Sequence, residues 1–117
     1  MTLFEALLVG HLVGDFLFQN RWMADNKSKK VIPLVVHSLV YSLSIFALAW
    51  LAGGISLMAT GIIFISHVLL DERRFTRWWI TNISRSPDIG WVQFAVDQVF
   101  HILLLSIVAY FFTRGFL

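Results

Sequence analysis

Residues 31–52 of the chain read VIPLVVHSLVYSLSIFALAWLA. This stretch contains no Asp, Glu, Lys or Arg, and its only imidazole is that of His37. A transmembrane helix needs about 20 predominantly apolar residues, and Pro33 falls in the first turn, where a missing N–H costs little. The stretch therefore predicts a membrane-spanning helix.

Three further apolar segments lie on either side of this one, over about residues 2–23, 55–70 and 91–112. In the whole chain of 117 residues, 58% are hydrophobic and 14% are charged. Soluble domains have about 45–50% apolar and about 25% charged residues. This composition argues against a water-soluble enzyme, a disordered tail and a nucleic-acid-binding module. The sequence predicts a single all-α integral membrane domain over residues 1–117, with four transmembrane helices in a bundle.

The basic residues predict an orientation for this bundle. Of nine Lys and Arg residues, eight fall in two connections, and Arg114 follows the last segment. The eight are Arg21, Lys27, Lys29, Lys30, Arg73, Arg74, Arg77 and Arg85. Because basic loops stay in the cytoplasm, we expect both termini outside, in a bacterial inner membrane. The lysines could hold a lipid phosphate, but a topological role is the simpler interpretation. Residues 73–80 mix Arg with Phe and Trp and could form either a short interfacial helix or a loop whose basic side chains snorkel to the interface.

Polar residues interrupt every apolar segment, although burying an ionisable group at the bilayer centre costs about 2.5–3.5 kcal/mol. Three His–Asp pairs are spaced four residues apart, which places each pair on one helix face. These side chains are predicted to lie at similar depths in the membrane, so we expect them to form one cluster near the cytoplasmic side. Its members are His11, Asp15, His37, His67, Asp71, Asp97 and His101, with Gln19 and Gln98 as supporting polar groups.

Neutral imidazoles and carboxylates together are typical ligands of a divalent metal such as Zn, Mn or Fe. The seven side chains exceed the three or four ligands that one zinc ion needs, so a second ion or outer-sphere partners would use the rest. Asp15 and Asp97 are the candidate catalytic carboxylates. Interhelical hydrogen bonding, a proton relay and haem ligation remain alternatives. The chain contains no cysteine, which excludes thiolate ligands and disulfides.

These residues also carry a family resemblance. The motifs are GHLVGDFLFQ at residues 10–19, HSLVY at 37–41, HVLLD at 67–71 and VDQVFH at 96–101. Together they resemble domain-of-unknown-function family 3307, small bacterial and phage membrane proteins. The resemblance implies a polytopic membrane protein with these polar residues as its signature, and it supplies no function. A looser similarity, by residue type alone, is to bacterial membrane-bound metal-dependent hydrolases.

The sequence thus favours a metal-dependent hydrolase acting on a lipid-linked or headgroup substrate at the cytoplasmic side. A non-catalytic accessory subunit of a membrane complex and a small proton or metal-ion transporter are the alternatives. The outer halves of the predicted helices offer few polar groups, which disfavours an ion path. The expected partners are the lipid bilayer and either a membrane protein or a second copy of the chain, and no nucleic acid.

Overall fold

Helices make up about four-fifths of the computed structural model, which describes residues 1–113. A single turn of π-helix over Val13–Leu17 extends the first helix. The six α-helices are α1 Leu3–Leu12, α2 Arg21–Asn26, α3 Val31–Trp50, α4 Leu57–Asp71, α5 Arg74–Asn82 and α6 Gly90–Thr113.

The prediction of four membrane spans is wrong. Only α3 and α6 are both long and apolar enough to cross a membrane, among the described residues. The 15 residues of α4 rise about 22 Å, which is short of a hydrocarbon core of about 30 Å. The predicted helix over residues 2–23 is interrupted after the π-turn, and α2 is a separate helix of 6 residues. The four-span bundle with both termini outside is therefore not supported, and Arg114 lies outside the described residues.

Local sequence signals explain where several helices begin. Thr2 and Glu5 form a reciprocal capping box at the start of α1. Asn20 caps α2 and Ser56 caps α4, each by accepting a hydrogen bond from a backbone N–H. The predicted short helix between the last two apolar segments is present as α5, which is amphipathic.

The helices α1, α3, α4 and α6 pack in a ring, each against its two neighbours. Two glycines bring α1 and the π-turn close to α3. A Cβ atom on Gly10 would lie 2.8 Å from the Cα of Ile45, and one on Gly14 would lie 3.0 Å from the Cα of Tyr41. Small residues at this spacing are what close helix packing requires.

The interior of the ring has two chemically different halves. An apolar core fills the half nearer the Gly53–Gly54 turn, with Leu7, Ile45, Ile63 and Leu105 among its members. The other half is polar, and it contains the buried His and Asp side chains. This polar half is bordered by α2 and α5, and the basic residues of the described chain lie in these two helices and in the loops next to them.

Candidate metal centre

The buried His and Asp side chains come from four elements of the ring. The π-turn supplies Asp15, and π-turns inside helices are frequent at functional sites. The middle of α3 supplies His37, and the last turns of α4 supply His67 and Asp71. The first half of α6 supplies Asp97 and His101. All six side chains are at most 5% exposed, so the structure brings predicted site residues from distant parts of the chain into one buried cluster.

Four of these side chains form a first group around one point: Asp15, His37, His67 and Asp71. The Nε2 atom of His37 lies 3.0 Å from Asp15 Oδ1 and 3.1 Å from Asp71 Oδ2. The Nε2 atom of His67 lies 3.4 Å and 3.5 Å from the same two oxygens. With metal–ligand bonds of about 2.0–2.2 Å, neighbouring ligand atoms of a tetrahedral site lie about 3.3–3.6 Å apart. The four atoms are therefore spaced closely enough to share one cation.

A second group consists of Asp71, Asp97 and His101. Asp71 belongs to both groups, and its two oxygens face different partners. Its Oδ1 atom lies 3.1 Å from His101 Nε2, whereas its Oδ2 atom faces His37. A carboxylate in this position could bridge two cations.

Hydrogen bonds on the far side of the imidazoles orient two of them. His101 Nδ1 donates to the backbone carbonyl of Asp97 over 2.7 Å, which leaves the lone pair of neutral His101 on Nε2, facing Asp71. His67 Nδ1 lies 3.0 Å from the hydroxyl of Ser38. Outer partners of this kind fix the tautomer and the ring orientation of metal-binding histidines.

His11 is placed differently from the other predicted ligands. Its Nδ1 atom lies 2.9 Å from the Tyr41 hydroxyl, and its Nε2 atom lies 2.8 Å from Gln98 Oε1. Both ring nitrogens are therefore occupied by hydrogen bonds, and His11 belongs to neither group. Gln19 donates to the backbone carbonyl of Asp15 over 3.1 Å, so it supports the turn that carries this carboxylate.

Besides Ser38, sequence reasoning missed three residues at the site. Lys27 is 7% exposed, and its Nζ atom lies 2.9 Å from Asp71 Oδ2, so its role is not limited to topology. Tyr41 is buried and stacks on His67 with ring centroids 3.7 Å apart. Arg73 lines the cavity beside the cluster. Of these three, only Tyr41 could have been predicted from the sequence, because it follows His37 by four residues and so lies on the same helix face.

The two central carboxyl groups are held in their ionised form. Burial alone would raise the pKa of Asp15, but hydrogen bonds from His37 and His67 outweigh burial and lower this pKa. Burial would likewise raise the pKa of Asp71, but the surrounding imidazoles and the Lys27 ammonium hold it well below its usual range. Ionised carboxylates are the form that binds cations.

The fold and the site thus define a class of protein, an all-helical chain with a buried Asp/His cluster. The family model described as "Protein of unknown function (DUF3307)" matches residues 3–116, and the chain belongs to this family, as its motifs predicted. Searches of curated proteins and of solved structures give no significant match.

Proposed function

We propose that this protein is a membrane-embedded metalloprotein in which Asp15, His37, His67 and Asp71 bind a divalent cation. The observation that carries the proposal is the spacing of four ligand atoms from three separate segments of the chain around one point. His101 Nε2 and Asp71 Oδ1 lie 3.1 Å apart, and a metal ion bound to both would take the place of the proton that they otherwise share. Zn, Mn and Fe all accept this mixture of imidazole and carboxylate.

The distribution of apolar surface supports the membrane location. The exposed faces of α3 and α6 carry large apolar side chains, including Leu39, Leu43, Leu103 and Ile107, while the interior between them holds ionisable groups. Water-soluble proteins rarely expose contiguous apolar surface of this kind. We therefore propose that α3 and α6 anchor the protein in the bacterial inner membrane.

The chemistry that such a centre supports best is hydrolysis of a lipid-linked or headgroup substrate. A bound divalent cation lowers the pKa of water and polarises the bond to be cleaved. Asp97 lines a polar cavity that also reaches Asp15 of the first group, and its Oδ1 atom has no hydrogen-bond partner among the described residues. This position suits a general base that accepts a proton from water. Asp15, by contrast, accepts from both His37 and His67 through its Oδ1 atom, and we assign it as a ligand.

The apolar half of the ring disfavours the transport alternative. A proton or ion path needs polar groups on both sides of the membrane. The packed core of Leu7, Ile45, Ile63 and Leu105 separates the cluster from the Gly53–Gly54 turn.

Metal analysis of the detergent-purified full chain tests the proposal. We expect element-resolved mass spectrometry to detect at least about one first-row divalent metal ion per chain. Asp71→Asn should lose at least most of this metal, because an amide is a poor replacement for an ionised ligand shared by two groups. Asp25→Asn is the matched control, since Asp25 is an exposed carboxylate that pairs with Arg21 on the surface, and it should retain the metal.

A wild-type protein that is purified without metal, and whose melting temperature does not rise when Zn, Mn or Fe is added, would contradict the proposal. Equal metal contents in Asp71→Asn and wild type would contradict the assignment of the ligands.

A further inference from the structure

A polar cavity lies directly beside the cluster, and its walls include two basic residues, Lys27 and Arg73, that belong to neither metal group. Two adjoining hollows, of about 110 and 140 Å³, share Arg73, Phe94 and Asp97 in their walls. The first also reaches Asp15, Lys27 and Gln98, so it opens onto the proposed metal ligands.

Arg73 is the distinctive residue of this cavity. Its Nε atom is buried and has no hydrogen-bond acceptor among the described residues. A buried guanidinium donor without an acceptor is costly, so this atom calls for a partner that the chain itself does not supply. The backbone of Arg73 is in the left-handed region, with φ of 75°, a conformation that non-glycine residues rarely adopt. Such strain is often found at functional sites.

The charges around the cavity favour an anion once a metal is bound. Asp15, Asp71 and Asp97 carry three negative charges at most, and Lys27 and Arg73 carry two positive charges. A divalent cation therefore makes the site net positive, with one positive charge in excess. Arginine combined with metal ions is the usual clamp for phosphoryl oxygens, because its planar fork donates two parallel hydrogen bonds.

Two half-exposed aromatic side chains form part of the cavity wall. Phe16 and Phe94 both line the first hollow, their rings lie 6.2 Å apart, and both side chains are at least half exposed. A hydrocarbon chain attached to the bound group could lie along these rings and continue into the bilayer.

We propose that this cavity binds the phosphoryl group of the substrate, with Arg73 donating to its oxygens beside the metal ligands. This inference rests on the proposed metal centre, because the positive charge of the cation creates the need for an anion. The phosphoryl group could belong to free phosphate or to a lipid headgroup, and the two sources share the same recognition chemistry.

Binding to the zinc-loaded full chain in detergent tests the inference by isothermal titration calorimetry. One arm uses inorganic phosphate, and the other uses dioleoyl phosphatidic acid in mixed micelles, with dioleoylglycerol micelles as the phosphate-free reference. We expect binding in at least one arm, and the arm that binds identifies the source. Arg73→Gln should weaken binding at least tenfold. Arg74→Gln, at an exposed neighbour that pairs with Glu72, should bind like the wild type.

Metal content is measured on every sample, so the two proposals fail separately. A zinc-loaded wild type that binds neither probe overturns the anion site and leaves the metal centre intact. A chain that takes up no metal overturns the metal centre, and the anion site with it. If Arg73→Gln does not fold, Arg73→Lys retains the charge and removes the Nε donor, and binding should weaken at least threefold. Wild-type affinity in either folded variant overturns the role of Arg73.

Discussion

At the scale of single residues, the centre depends most on Asp71. Its two oxygens are within 3.1 Å of His37 and His101, and Lys27 Nζ is 2.9 Å from Oδ2. Lysine and a divalent cation would therefore compete for the same oxygen. Lys27 can be understood as the charge that stabilises the cluster while no cation is bound.

This competition leads to a prediction for Lys27→Met. Removing one member of a buried ion pair typically destabilises a protein by about 3–5 kcal/mol, because the remaining charge is uncompensated. We expect a clearly lower melting temperature for the metal-free variant and a larger rise on addition of zinc than in the wild type. Differential scanning fluorimetry on the purified protein measures both effects.

The control is Lys29→Met, which removes a lysine two residues further along the chain, outside the buried cluster. Substitutions at such surface positions usually change stability by less than about 0.5 kcal/mol. If both variants melt alike with and without zinc, Lys27 has no special role in the cluster.

At the scale of the helices, the contact of α1 with α3 places Asp15 opposite His37. Gly10 is essential to this contact, because a Cβ atom there would lie 2.8 Å from the backbone of Ile45. Nothing flexible can move aside at that point, so the helices themselves must separate.

We therefore expect Gly10→Ala to destabilise the protein by about 1–3 kcal/mol, the usual cost of overpacking. Gly61→Ala is the matched control. Gly61 lies inside α4, where an added Cβ atom would meet nothing within 4 Å, and alanine is the better helix former by about 1 kcal/mol. Thermal melts should show opposite changes for the two substitutions, and equal changes would mean that α1 is not closely packed on α3.

Helical spacing correctly grouped His67 with Asp71 and Asp97 with His101, because both pairs lie on regular α-helices. It could not predict the π-turn at Asp15, because a single wider turn leaves no periodic signal in the sequence. It assigned His11 to the metal site because spacing cannot distinguish a ligand from a residue whose nitrogens already bond Tyr41 and Gln98.

The number of membrane spans was overestimated for a related reason. Hydropathy measures how apolar a segment is, but it does not show where the helix ends. The break after the π-turn shortens the first predicted span, and the third, predicted over residues 55–70, forms a helix of only 15 residues, α4. The buried position of Lys27 was equally hidden, because a lysine in a basic loop resembles a topological signal.

At the scale of the whole molecule, the main question is whether the outer surface faces water or lipid. The exposed leucines on α3 provide a test. Leu43 is 67% exposed near the middle of α3, and Leu51 is 70% exposed just after its end. In water, arginine at either position should be harmless. In a bilayer, arginine at the centre of a helix costs about 2.5–3.5 kcal/mol, and much less near the interface.

We expect Leu43→Arg to lower the amount of protein retained in the membrane fraction after alkaline carbonate extraction, while Leu51→Arg remains near the wild-type level. Quantitative immunoblotting of the membrane and soluble fractions measures this difference. A wild type found in the soluble fraction, or a Leu43→Arg variant retained like the wild type, would contradict a membrane position for this face of α3.

The left-handed backbone of Arg73 implies a trade-off between stability and affinity. A glycine would adopt this conformation without the cost of about 1–2 kcal/mol that other residues incur. The chain therefore has an arginine side chain at a position where its backbone conformation favours glycine. Arg85 also has a positive φ, of 53°, but it is exposed and does not line the cavity. Glycine at either position should relieve the same kind of backbone strain, whereas only the loss of the Arg73 side chain should weaken phosphate binding. An engineer who optimised this chain for heat resistance alone would be led to discard the residue that we expect its substrate to need.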